Sequence, residues 1–78
     1  MKPPLPANLR QRLREVDLTQ EALARRIDVS TRTVTSWTMG QSLPRWPQLV
    51  RIAEALDREP AWFYTERDDA PSAPVEAA

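Results

Sequence analysis

Apolar residues recur along the chain at three- and four-residue intervals. Leu9, Leu13 and Val16 share one side of a helix, as do Leu23, Ala24 and Ile27, then Val34 and Trp37, then Leu49, Ile52, Ala53 and Leu56. Local signals bound each run. The first helix is expected from about Ala7 to Val16, with Asn8 a candidate cap, and the second from Gln20 to about Ile27, capped by Thr19. A third, capped by Ser30, ends at Gly40, the sole glycine, which suits a left-handed position just past a helix end. A fourth covers about Trp46 to Leu56, and a short fifth starts near Pro60 and carries AWFYTE. Pro44, Pro47 and Pro60 lie near these starts, where a first turn tolerates proline. The pattern predicts an all-α fold with no strand, a compact bundle of about five short helices.

Composition shifts divide the chain into three. Pro3, Pro4 and Pro6 mark residues 1–6 as an extended arm, and residues 7–64 hold the helices. Residues 65–78, with DDAPSAPVEAA, form an acidic tail with little to bury, expected to be disordered.

The third helix has an unusual composition. In STRTVTSW, five of the first seven residues carry hydroxyls, and such residues are mediocre helix formers. At about 100° per residue, with Thr31 at zero, Thr35 falls near 40°, Met39 near 80°, Arg32 near 100° and Ser36 near 140°. Val34 and Trp37 fall on the opposite side, near 300° and 240°. Thr31, Arg32, Thr35 and Ser36, with Met39 at the edge, thus form an outward face without an acid. A merely solvated face usually mixes Glu and Lys, which are better formers and pair at i,i+4. Small hydroxyls and an arginine suit close approach to base edges. Taken alone, this face leaves both readings open. The preceding helix adds weight to the second: Ala24, beside Leu23 and Ile27, lets another helix cross closely, and IDVS leaves only a sharp bend before the third helix. Two short helices crossing steeply, the second with a polar outer face, constitute a helix-turn-helix.

Charge refines this picture. The 78 residues carry no net charge, but residues 1–51 hold nine basic and four acidic groups, a net of +5, and residues 52–78 hold two and seven, a net of −5. The local field, not the total, governs binding to a polyanion. The absence of cysteine and histidine excludes disulfides, zinc-finger spacings, thiol nucleophiles and imidazole bases. Acids such as Asp68 and Asp69 lie in the tail, so neither an enzyme, a metal nor a cofactor is expected. No apolar run is long enough to span a membrane, and a cytoplasmic location is expected.

From LRQRLREVDLTQEALARRIDVSTRTVTSW through GQSLPRWPQLVRIAEALD, the chain resembles a lambda-repressor-like DNA-binding domain of the Cro and xenobiotic-response-element type. The resemblance covers roughly residues 7–64 and rests on a register. Thr19 and Gln20 open the second helix, Leu23 and Ala24 pack it, Val29 follows the turn, Val34 and Trp37 seat the third, and Gly40 and Pro44 precede LVRIAEAL. It implies that Thr31, Arg32, Thr35 and Ser36 occupy the positions that read bases in the major groove. Gln20 would contact phosphate and brace the start of the recognition helix, while Thr33, Gln41, Ser42, Arg10 and Arg14 are candidates for the DNA backbone. Such domains often have glycine in the turn, where Asp28 stands here, and Arg58 and Glu59 replace a more apolar link. The implied function is a sequence-specific double-stranded DNA-binding transcriptional regulator, a repressor acting as a homodimer on an inverted repeat. The dimer would draw on Trp62 and Tyr64, since exposed aromatics favour interfaces, with Phe63 in the core; the other reading has all three cover the core. The functional alternative is an antitoxin or other module that binds a protein partner and autoregulates.

Overall fold

A computed structural model describes residues 3–65. Among these, four α-helices run in the order α1 (Leu5–Glu15), α2 (Gln20–Ile27), α3 (Thr31–Thr38) and α4 (Trp46–Ala55), followed by a 3₁₀ helix at Pro60–Tyr64, with no strand. α2 packs on both α3 and α4, α1 packs on α3 and the 3₁₀ helix, and that last element also meets α4. None of these helices is long and apolar enough to cross a membrane.

Three expectations need correction. The fifth helix is 3₁₀ rather than α: the Trp62 amide donates to the Glu59 carbonyl (2.9 Å) and the Thr65 amide to that of Trp62 (3.2 Å), both at i−3 spacing. Five residues led by a proline give an α-ladder little room to form. The second correction concerns the arm. α1 begins at Leu5, so Leu5 and Pro6 are helical. Leu5 extends the Leu9–Leu13 stripe by one turn and is fully buried, and Pro6 sits in the first turn, where its missing amide costs nothing. Finally, Asn8 is no cap. It lies inside α1, buried, and its Nδ2 donates to the carbonyls of Trp62 (3.3 Å), Phe63 (3.0 Å) and Thr65 (2.9 Å), pinning the 3₁₀ helix to α1. Met1, Lys2 and residues 66–78, with them nearly all of the acidic tail, lie outside the described residues.

Every apolar stripe read from the sequence reaches the core except at its last residue in the first helix, Val16, which is half-buried against it. Leu9, Leu13, Leu23, Ala24, Ile27, Val34, Trp37, Leu49, Ile52, Ala53, Leu56 and Phe63 are all buried. Caps fix the helix starts. Thr19 Oγ1 accepts the Ala22 amide at 3.0 Å and Ser30 Oγ accepts that of Thr33 at 3.1 Å. At α4, Gln48 Oε1 accepts the Arg45 amide at 2.9 Å.

The helix ends share one device. Asp17, Asp28, Gly40 and Asp57 follow α1, α2, α3 and α4 respectively, each with positive φ (57°, 61°, 78° and 59°). In each case the left-handed residue's amide turns back onto the last turn, Asp17 to Arg14 (3.1 Å), Asp28 to Arg25 (3.4 Å), Gly40 to Trp37 (3.3 Å) and Asp57 to Glu54 (3.3 Å). The next amide reaches one carbonyl further back, as from Leu18 to Leu13 (2.9 Å) and from Val29 to Ala24 (3.0 Å). This paired closure satisfies carbonyls that a helix end otherwise leaves open. At Asp28 it also makes the sharp bend that carries the chain from α2 into α3.

Candidate nucleic-acid interface

Val34 and Trp37 seat α3 against the core, and Thr38 joins them. Thr38 stands at about 340° on the same helical wheel, between the apolar anchors and Thr31. Its hydroxyl is satisfied locally by donation to the Thr35 carbonyl at 2.9 Å, which lets a polar residue lie buried. The expected outward face follows from this seating. Thr31 and Arg32 are exposed, whereas Thr35 and Ser36 are half-buried because neighbouring elements reach up to them.

Two open furrows flank this face. One, of about 500 Å³, is lined by Arg32, Thr33, Thr35, Ser36, Gln41 and Ser42, so it runs between α3 and the loop that follows. That loop is held to the helix: Ser36 and Ser42 hydroxyls are 2.6 Å apart, and the Gln41 amide donates to the Ser36 carbonyl at 2.9 Å. A second furrow, of about 350 Å³, lies where α1 meets the start of α2 and includes Arg10, Arg14, Thr19 and Gln20 in its lining. The Thr35 hydroxyl, donating to Gln20 Oε1 at 2.8 Å, ties the two together. Nine of the ten residues singled out for DNA contact therefore line one furrow or the other. Thr31 stands at the exposed first turn of α3.

Several side chains do structural work that the sequence did not signal. Arg10 Nη1 donates to the Thr38 carbonyl, placing a cation at the C-terminal end of α3, where the helix dipole favours it. Its guanidinium is thus a brace for the recognition helix as well as a candidate phosphate contact. Gln20 braces the middle of α3, through Thr35, and not its first turn. Arg12 turns inward, with Nε on the Leu56 carbonyl (2.8 Å) and Nη1 on Glu15 Oε1 (3.0 Å). Arg14, by contrast, is exposed.

The two candidate dimer residues differ. Trp62 is half-buried, meets Phe63 edge-to-face with ring centroids 5.0 Å apart, and has the Arg58 guanidinium 5.7 Å above its ring. Tyr64 is 40% exposed. Larger exposed apolar groups lie elsewhere: Met39 (65%), Leu43 (46%) and Trp46 (66%) all belong to the segment from the end of α3 to the start of α4. The sequence places only Met39 at an edge of the outward face and gives no sign that Leu43 and Trp46 are exposed, because apolar spacing does not say that a loop residue will remain outside.

A helix-turn-helix family profile matches residues 9–63. The chain is similar to the HTH-type transcriptional regulator DicA of Escherichia coli (strain K12), at 30% identity over 69 residues, which make up 87% of this chain and 51% of that protein. It therefore spans about half the length of the curated relative it matches. The solved DNA-binding domain of the P22 C2 repressor has the same fold, with a TM-score of 0.77 at 20% identity over 87% of this chain and 88% of that one. Hydroxypropylphosphonic acid epoxidase from S. wedmorenis also matches, with a TM-score of 0.75 at 25% identity, over 82% of this chain but only 34% of the enzyme. A fold alone does not define a function; the α3 face and its furrows are what this chain offers a ligand.

Proposed function

This chain belongs to the helix-turn-helix family and is lambda-repressor-like, and from that membership we propose that it is a sequence-specific, double-stranded DNA-binding transcriptional regulator acting in the cytoplasm. α3 enters the major groove. Arg32 donates two hydrogen bonds to a guanine edge, and Thr31, Thr35 and Ser36 contact the neighbouring bases. Thr33, Gln41 and Ser42 on one side, and Gln20, Arg10 and Arg14 on the other, hold the flanking phosphates and set the register. The observation that carries this reading is the lining of the furrow beside α3, where Arg32, Thr35 and Ser36 converge with Thr33, Gln41 and Ser42.

A single unit reads only a few base pairs. The regulator is proposed to bind an inverted repeat as a homodimer, through Trp62 and Tyr64, with half-sites about 34 Å apart, and to repress by blocking polymerase. The DNA-binding unit is proposed to extend from the start of α1 through the 3₁₀ helix to Thr65, whose carbonyl Asn8 holds. Selection of bound duplexes from a random pool tests the proposal. Enrichment of a two-fold symmetric site is the expected outcome; no enrichment at low salt would remove the DNA-binding reading.

A second reading is favoured by Met39, Leu43 and Trp46, exposed apolar side chains on the segment from the end of α3 to the start of α4. A module that binds a protein partner and autoregulates, as an antitoxin does, would use such a surface. Recovery of a stoichiometric partner from the source cell would support it, and recovery of the chain alone would not.

A further inference from the structure

Of the four outward residues of α3, Thr35 has a bonding state that restricts what it can offer a base. Its hydroxyl donates to Gln20 Oε1 at 2.8 Å, across the α2–α3 contact. Thr35 nevertheless lines the furrow beside α3, whereas Gln20 lines the one on the other side. With that hydroxyl donated to Gln20, the γ-methyl is what Thr35 has left to offer a base, next to the Gln20 carboxamide to which it is bonded. β-branching leaves the side chain few rotamers, so the bond fixes where that methyl sits. Gln20 is constrained in a complementary way. With Oε1 engaged, its carboxamide keeps two N–H donors on Nε2. Ser36 cannot play this part, because its hydroxyl pairs with Ser42 at 2.6 Å and it has no methyl.

A methyl beside an N–H donor matches one base edge. In the major groove thymine presents its C5-methyl next to the O4 acceptor; cytosine presents a donor and no methyl, and guanine two acceptors and no methyl. We propose that Gln20 and Thr35 act as one reader of a thymine, with the Thr35 methyl against the thymine methyl and the Gln20 amide donating to O4. This inference rests on the DNA-binding reading and changes one role within it: Gln20 becomes a specificity residue, beyond a phosphate contact and brace.

The test uses the full chain and the duplex it selects. Each thymine is replaced in turn by uracil, which lacks only the methyl, and by 5-methylcytosine paired with guanine, which keeps the methyl but turns the O4 acceptor into an amino donor. At one thymine per half-site, uracil should weaken wild-type binding roughly fourfold, the worth of one buried methyl. Thr35→Ser keeps the hydroxyl and drops the methyl, so it should erase the thymine–uracil difference at that position alone. Gln20→Met should narrow the gap between thymine and 5-methylcytosine at that position and, because the bond that fixes the Thr35 methyl is lost, reduce the thymine–uracil difference there as well. Thermal unfolding of both variants establishes that they fold. The inference is overturned if no thymine shows a uracil effect that Thr35→Ser removes, or if Gln20→Met weakens every duplex by the same factor. Either result leaves sequence-specific binding intact, whereas failure to enrich any duplex overturns both readings.

Discussion

Arg32 and Asn8 represent two kinds of residue in this chain, one directed outward and one inward. Arg32 is exposed on a helix whose opposite side is fixed by Val34 and Trp37, so its removal leaves the core untouched. Arg32→Ala is expected to cost about 1–3 kcal/mol on the selected duplex and to relax preference at one base position. Equal weakening on all sequences, measured by titration against variant duplexes, would make it a phosphate contact. Asn8 has the opposite character: one buried amide nitrogen serves three carbonyls of the 3₁₀ segment. Asn8→Ala should destabilise the fold by about 1–3 kcal/mol, because those carbonyls lose their donor where water has poor access. An unchanged denaturation midpoint would disprove this. The exposure of Arg32 was legible from helical spacing alone, since it depends only on which way its own helix faces. Asn8 was not, because its partners lie 54 to 57 residues along the chain and are backbone atoms, which carry no side-chain signature.

At the level of elements, starts and ends followed different rules. Thr19, Ser30 and Gly40 were readable because each residue type has a strong positional preference. Of the three aspartates that close α1, α2 and α4, only Asp28 stood out, by its place in the turn; Asp17 and Asp57 resemble ordinary surface acids in sequence. Aspartate enters the left-handed region more readily than most residues but does not escape its steric cost. Asp28→Gly should therefore raise stability by about 0.5–1 kcal/mol and Asp28→Ala should lower it by a similar amount, since alanine has neither glycine's freedom nor a local polar contact. Denaturant midpoints of the pair decide it. If the alanine variant is as stable as the glycine variant, the left-handed bend is not what sets the energy of this turn. The beginning of α1 and the type of the last helix depart from the sequence expectation for one reason: proline locally signals extended chain or a helix start, while burial of Leu5 and the brevity of the Pro60–Tyr64 segment decide the outcome.

For the whole molecule, what matters is how the α3 face lies relative to the surface that would bring two copies together. The apolar stripes made the core legible, but they are silent about which remaining apolar groups stay exposed, because that depends on how loops cross a finished surface. Two regions compete. Tyr64 is exposed beside a half-buried Trp62 that already packs on Phe63 and Arg58, so part of this aromatic group is committed to the fold. Among the described residues Trp46 is the most exposed large apolar side chain, and it shares with Met39 and Leu43 the segment that joins α3 to α4. Trp62 is a poor probe, since its replacement disturbs packing as well as any interface. Tyr64→Ser avoids that difficulty: its ring is exposed, and loss of a dimer cannot be blamed on the core. With the dimer formed through the 3₁₀ helix, sedimentation should find Tyr64→Ser shifted toward monomer and Trp46→Ser unchanged. On the selected duplex, Tyr64→Ser should then weaken binding to the full inverted repeat while leaving affinity for a single half-site as it was, because only the coupling between two copies is lost. The reverse pattern, a monomeric Trp46→Ser beside a dimeric Tyr64→Ser, would move the interface to the connection between α3 and α4 and place the two recognition helices on either side of it.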